Sequence, residues 1–234
     1  MARTSATKKE RSTPREAARS GRPPREFAGE VEERILKAAR KAFLDRGFEG
    51  ASIEEIAYAA RSGKPTIYAR FPNKEALFAA AVTRYAFAKI SRLEDYAPTG
   101  ATIEERLASI GATVLQEALT GEWIGLLRLA IGEAQRFPDL ASVVIRVMRE
   151  RGGESMARLL GQAAESGDAG TLPGFGPDRL AMTAGFFRDL ILLPHLLRAL
   201  SGERLETLRA EIGPHVSQRV VFFLAACRHD GEPS

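Results

Sequence analysis

Cysteine is almost missing: Cys227 is the single one in 234 residues. One thiol forms neither an internal disulfide nor a cysteine-based metal cage, which excludes a disulfide-framed secreted scaffold and makes the reducing cytoplasm the expected compartment. Long apolar runs are scarce as well. None approaches the roughly 18 residues of a membrane span, the longest resembling Val220 to Cys227, so no membrane is expected as a partner. The first thirty residues hold no apolar stretch of the export-signal kind. Histidine is rare, and His195, His215 and His229 stand too far apart for a ligand signature; no metal and no other cofactor is expected. Also lacking are a glycine-rich phosphate loop, a Gly-x-Ser-x-Gly elbow and a His-Glu-x-x-His pair, so no catalytic residues are assigned and the chain is not expected to be an enzyme. Cys227 ends an apolar segment, which suits an inert thiol. Strand-like alternation between hairpin turns is absent throughout.

What is present is ordinary globular material, 44% hydrophobic and 27% charged, in a length that suits one large domain or two small ones. The net charge of +4 is unevenly spread. Residues 1–29 hold eight Lys or Arg against three Glu, residues 30–74 carry +2, and the remaining 160 carry −3. A polyanion met by the amino-terminal third is the simplest account of that asymmetry, although a solvated basic tail gives the same composition.

Residues 1–29, rich in Arg, Ser, Thr, Pro and Gly, read as a disordered basic arm. From about Glu30, Ile35, Ala38, Ala39, Ala42 and Phe43 recur at helical spacing. Gly47 stops that helix, and Phe48 can fold back on Phe43. Ser52-Ile53-Glu54-Glu55 is a capping box opening a helix of about nine residues. After Arg61-Ser62-Gly63, Pro65 sits in the first turn of a third helix whose Ile67 and Phe71 face inward. Asn73 caps a fourth, to about Leu93. Thr102 opens another by a second box and runs to about Thr120; further helices are expected over 123–136 and from Pro138 past Leu159. A flexible loop follows over 161–176, then two apolar helices, 177–200 and 203–227, the first kinked at Pro194. The fold class is therefore all-α with about nine helices: an amino-terminal three-helix helix-turn-helix domain at 30–75 and a helical domain at 76–234.

In residues 52–71 a helix, a tight turn and a short helix follow one another, and the second helix turns Lys64, Thr66 and Arg70 outward. A helix of that size fits the major groove. Lys64 and Arg70 suit phosphate or a guanine edge, Thr66 suits phosphate or a thymine methyl, and the Tyr68 hydroxyl can donate to phosphate. The helix starts near Ser52 and at Asn73-Lys74 are further phosphate candidates.

The segment Ile35-Leu36-Lys37-Ala38-Ala39-Arg40-Lys41-Ala42-Phe43, Gly47-Phe48, Ser52-Ile53-Glu54-Glu55-Ile56-Ala57, Lys64-Pro65-Thr66-Ile67-Tyr68-Ala69-Arg70-Phe71 and Asn73-Lys74-Glu75-Ala76-Leu77-Phe78 closely resembles the DNA-binding domain of the tetracycline-repressor (TetR) family. The resemblance implies DNA contacts from Ser52, Lys64, Pro65, Thr66, Tyr68, Arg70 and Lys74. Arg61-Ser62-Gly63 departs from the family's usual Gly-Val-Ser turn, so Arg61 is expected in the left-handed region. Phe187-Arg188-Asp189-Leu190-Ile191-Leu192-Leu193-Pro194 and Val220-Val221-Phe222-Phe223-Leu224 resemble the family's AefR-like carboxy-terminal domain. From the resemblance follow a homodimer through the last two long helices, a double-stranded operator of pseudo-palindromic sequence, and repression relieved by a small apolar or aromatic effector. Trp123, Arg128, Phe137, Met148, Met156, Phe186 and His195 are the candidate effector contacts, though such residues at helical spacing equally suit plain core. A ligand-blind or activating regulator, or a helical enzyme or adaptor with an incidental helix-turn-helix, stays open at this point.

Overall fold

The computed structural model describes residues 25–165 and 172–228, and every described segment of regular structure is helical. Ten α-helices follow in order: α1 (Arg25–Gly50), α2 (Ile53–Ala59), α3 (Lys64–Tyr68), α4 (Lys74–Glu94), α5 (Ile103–Ala118), α6 (Gly121–Gly132), α7 (Pro138–Ala164), α8 (Leu180–Leu200), α9 (Leu205–Ala210) and α10 (Ile212–Cys227). A 3₁₀ turn, Pro173–Phe175, precedes α8. Most of the arm expected at 1–29 and the middle of the loop expected at 161–176 lie outside the described residues.

The helices start and stop where side chains satisfy their ends. Thr102 and Glu105 form the complete box of α5: the Thr102 hydroxyl accepts from the Glu105 amide at 3.2 Å and the Glu105 carboxylate accepts from the Ala101 and Thr102 amides. At α2 only half of the expected box forms. The Ser52 hydroxyl accepts from the Glu55 amide, but the Glu55 carboxylate turns to Arg46 at 3.2 Å. Gly47 takes φ +72° and breaks α1 there, a last short stretch running on to Gly50, and Phe48 beyond the break stacks on Phe43 with ring centroids 5.8 Å apart.

Some element boundaries differ from expectation. α1 begins at Arg25 rather than near Glu30; Pro23 and Pro24 stand immediately before it in sequence. The segment 203–227 is two helices that meet at Glu211. Pro214 explains the break: it has no N–H for the carbonyl of residue 210, and its ring excludes that carbonyl from the helical position. Pro194, by contrast, leaves α8 continuous. α8 also carries a mean hydropathy of 1.4, so by length and composition alone it would cross a membrane. The sequence hides this run because Arg188 and Asp189 interrupt it mid-helix, where intramembrane charges are costly.

Two apolar cores are built. The first gathers Ile35, Ala39 and Phe43 of α1, Ile56 of α2, Ile67 of α3 and Leu77 and Phe78 of α4. Phe43 and Phe48 both meet Phe78 edge-on, at 4.9 and 5.6 Å. This core does not end with the first four helices: Trp123, Leu126 and Ala130 of α6 and Val144 of α7 belong to it. The second joins α5, α7, α8, α9 and α10 around Leu107, Leu159, Phe187, Ile191 and Val220. Arg198 staples its end, reaching Glu203 at 2.5 Å and Glu211 at 2.5 Å.

Candidate nucleic-acid interface and cavity

The turn between α2 and α3 sets the outward side of α3. The amides of Arg61 and Ser62 donate to the carbonyls of Tyr58 and Ala57 at 3.1 and 2.9 Å, the paired bonds of a Schellman closure, which places its central residue in the left-handed region. That residue is Arg61, at φ +50°, as the sequence predicts. A residue with a Cβ there costs roughly 1–2 kcal/mol over the right-handed region. Gly63 then caps α3 without a side-chain bond, and Pro65 occupies its first turn.

α3 is five residues long and held by fully buried Ile67. Its outer side carries Lys64, Pro65 and the half-exposed Tyr68, with Thr66 and Arg70 partly covered. The Lys64 ammonium donates to the Glu54 carboxylate of α2 at 2.6 Å. That hydrogen bond holds the Glu54 carboxyl below its ordinary pKa and the Lys64 ammonium above its own. The Arg70 guanidinium folds back to donate to the Thr66 carbonyl at 3.1 Å. Lys74 ties α4 to the chain leaving α1: its ammonium donates to the carbonyls of Glu49 and Ala51 at 3.2 and 3.4 Å and stands 4.8 Å from the centre of the Phe48 ring. Of the predicted DNA contacts, Lys64, Pro65, Thr66 and Tyr68 lie on α3 and Arg70 just beyond it, Lys74 opens α4, and Ser52 caps α2. The Asn73 side chain accepts from the Ala76 amide at 2.8 Å and caps α4.

The seven candidate effector contacts do not come together. Trp123, Met148 and Met156 line one cavity of about 70 Å³ with Ile90, Val114 and Leu192. The other four lie elsewhere. Arg128 donates to the carbonyls of Leu200 and Ala199 and caps the end of α8. Phe137 packs on Phe48 at 5.3 Å, beside an ion pair between Arg136 and Glu49. Phe186 is 64% exposed on a face of α8 that also shows Met182, Leu193 and Leu197, near Val221 and Phe222 of α10. His195 is buried with neither ring nitrogen hydrogen-bonded, its ring 3.9 Å from that of His215. His215 in turn uses Nε2 on the Ile191 carbonyl at 2.9 Å. Helical spacing alone cannot say which face of α6, α7 or α8 meets a cavity, which is why four of the seven lie away from this one. Sequence reasoning also missed the cavity's polar wall: Lys89, Glu117 and Arg188. A signal was available, because Lys89 interrupts the buried stripe Val82, Ala86, Ile90 on α4. Burial pushes the Cys227 thiol up to about 11, consistent with an inert thiol. No group of three or more metal-ligating side chains occurs among the described residues.

With this geometry in view, the comparisons with known proteins fall into place. Residues 35–81 match the model of bacterial regulatory proteins of the tetR family, and residues 105–228 match that of the AefR-like transcriptional repressor carboxy-terminal domain. Over 50 residues the chain is 42% identical to the HTH-type transcriptional repressor ComR of Escherichia coli K12, a match covering 21% of this chain and 24% of that protein. Over 56 residues it is 41% identical to the HTH-type transcriptional regulator YdgC of Bacillus subtilis, covering 24% and 29%. The chain thus spans about a quarter of the length of these curated relatives. Among solved structures, a TetR-family transcriptional regulator from Mesorhizobium loti is similar over 85% of this chain and 97% of its own, with a TM-score of 0.71 and 25% identity. The flavonoid-responsive regulator FrrA is similar over 85% and 97%, with a TM-score of 0.57 and 27% identity.

Proposed function

The chain belongs to the tetR family of bacterial transcriptional regulators, with an AefR-like carboxy-terminal domain, and from that premise we propose that it is a cytoplasmic homodimeric repressor released from a pseudo-palindromic operator by a small effector. It is a DNA-binding regulator and not an enzyme. We assign residues 30–75 to DNA reading and 76–234 to effector binding and dimerisation, with the basic arm at 1–29 adding sequence-independent attraction to phosphates.

The observation that carries the reading is the outer side of α3. A helix anchored by Ile67 presents Lys64, Pro65, Thr66 and Tyr68, with Arg70 just beyond it, on a packed support; Ser52 caps α2 and Lys74 opens α4. In this arrangement Thr66 and Arg70 read base edges, and Lys64, Tyr68 and Lys74 grip phosphates. Two copies, joined across the exposed apolar faces of α8 and α10, bring two such helices to successive major grooves. The dimer also accounts for the apolar length of α8: one face enters the core and the other meets the partner.

Trp123, Met148 and Met156 remain in the effector site under this proposal; Arg128, Phe137, Phe186 and His195 do not. The effector acts only through a difference in affinity between DNA-competent and incompetent states. Gel-shift titration of the chain on its own upstream region against random duplex, over a series of salt concentrations, tests the reading. Preferential binding to the upstream region that is weakened by Arg70→Ala is expected. A monomer at micromolar concentration without preference for that region overturns it.

A further inference from the structure

We propose that the cavity between α4, α5, α7 and α8 is built for an apolar organic acid, bound as its carboxylate between Lys89 and Arg188. The inference rests on the effector reading above and names the chemical class of the effector. Most of the wall is apolar, made by Ile90, Val114, Trp123, Met148, Met156 and Leu192. Charge enters it at three points only: Lys89, Glu117 and Arg188.

These three charges are not balanced. The Glu117 carboxylate is shared, 3.2 Å from the Lys89 ammonium and 3.5 Å from the Arg92 guanidinium, so it has no free charge to offer a cationic ligand. Lys89, at 8% exposure, places two donors on Glu117, one on the main-chain carbonyl at 2.6 Å and one on the carboxylate. An ammonium has three donors. Arg188 on α8 leans on its neighbour Asp189 at 2.9 Å, but Arg188 lines the cavity and Asp189 does not. Two cations and one already engaged anion thus border an apolar space. Asp189 answers Arg188 from outside that space, and inside it a carboxylate accepts from both cations, which a neutral ligand does not. Burial already disfavours the Lys89 ammonium, and an anion in the cavity opposes that effect.

Size restricts the class further. The cavity's 70 Å³ is about half of the roughly 150 Å³ known to take up benzene. Met148 and Met156 stand in the wall, and methionine's flexible side chain is the one most easily displaced. Gly152 adds room beside them: a Cβ built on it meets nothing within 4 Å. The space therefore has to open by moving these methionines before it takes up even one ring, and the occupant is a carboxylate on a single ring or a short alkyl chain.

Isothermal titration of the full chain with benzoate and hexanoate, each against its neutral counterpart benzamide or hexan-1-ol, tests the assignment. The acids are expected to bind about tenfold or more tightly than the neutral compounds, the usual worth of a charge-assisted bond. Arg188→Gln and Lys89→Met should each bring the acid down to the affinity of its neutral counterpart. Gly152→Leu should abolish acid binding while raising the melting temperature, since leucine replaces glycine within a helix. Should Lys89→Met fail to fold, Arg188→Gln decides. Equal binding of acid and neutral compounds, acid binding indifferent to both substitutions, or no binding of either class overturns the proposal. Gel shifts run on the same samples separate the two claims. Release of DNA by a neutral compound refutes the acid and leaves effector control standing; failure of the unliganded chain to prefer its upstream region refutes the regulator reading, while the calorimetry still decides the chemistry of the cavity.

Discussion

Glu54→Gln should strengthen DNA binding, and the reason lies in a single ion pair. In the free protein the Lys64 ammonium is 2.6 Å from the Glu54 carboxylate, with both side chains half or more exposed. Lys64 meets a phosphate with its charge already answered by Glu54, and whether it keeps that partner or lets it go a carboxylate then faces a polyanion. Glutamine removes both obstacles while preserving shape. Each phosphate neutralised adds about 0.9 to the slope of log affinity against log salt. If the substitution frees one full contact, the gain at 50 mM salt exceeds that at 200 mM by about three- to fourfold. Fluorescence anisotropy with the upstream duplex at four salt concentrations reads both the affinity and the slope. Lys64→Met should lower the slope by a similar amount, and in the double variant Glu54→Gln should lose its benefit. An unchanged slope in Glu54→Gln, or weaker binding at low salt, would refute the reasoning and leave Lys64 as a tie between α2 and α3 without a role in DNA binding.

Three other outcomes follow from the geometry. Arg61→Gly relieves the left-handed strain at φ +50° but adds chain entropy in the unfolded state, so a net stabilisation of about 0.5–1 kcal/mol is expected in urea titration; Arg61→Val should destabilise instead. Phe222→Asp places a charge on an apolar side chain that is 68% exposed; sedimentation should show a monomer that melts normally and binds DNA at least about tenfold more weakly. Burial lowers the pKa of His215 to about 4. The unfolded chain, with an ordinary histidine, then takes up a proton first as pH falls below about 6.5. Stability is accordingly undiminished above that pH and is lost on acidification towards pH 4, by up to about 2 kcal/mol between pH 7 and pH 5. His215→Gln, which can still donate to Ile191, should flatten that dependence in thermal melts, and a slope equal to that of the parent chain would reject the assignment.

The all-helical class and the reading head were legible because they depend on local chemistry. Caps at Ser52, Asn73 and Thr102, the stop at Gly47 and the buried stripe through Ile35 and Phe43 act within a few residues of chain, and each recurs in the structure. Even the unusual conformation of Arg61 could be read, since a turn that lacks its glycine must still close. The cavity was not legible in the same way. Whether Trp123 or Phe186 faces inward depends on how α6 and α8 rotate against their neighbours, and both residues sit at ordinary helical spacing. Phe137 and Arg128 lie away from the cavity for a related reason: one packs on a ring almost ninety positions earlier in the chain, the other caps a helix 71 and 72 residues away. Long-range partners leave no trace in local periodicity. Glu211 is intermediate, because Pro214 announces a disturbance without saying on which side of it the chain will bend.

The sharing of the first apolar core between the amino-terminal helices and α6 governs how the protein comes apart. Phe137 on Phe48, Arg136 on Glu49 and Trp123 within the same cluster as Phe43 leave no seam between the two halves, so heating should produce one cooperative transition and a fragment cut after Leu93 should bare the Phe78 side of its interior to water. A minimal autonomous reading unit therefore has to include the sixth helix, and any dissection of this protein that ignores it will yield aggregates instead of a working piece.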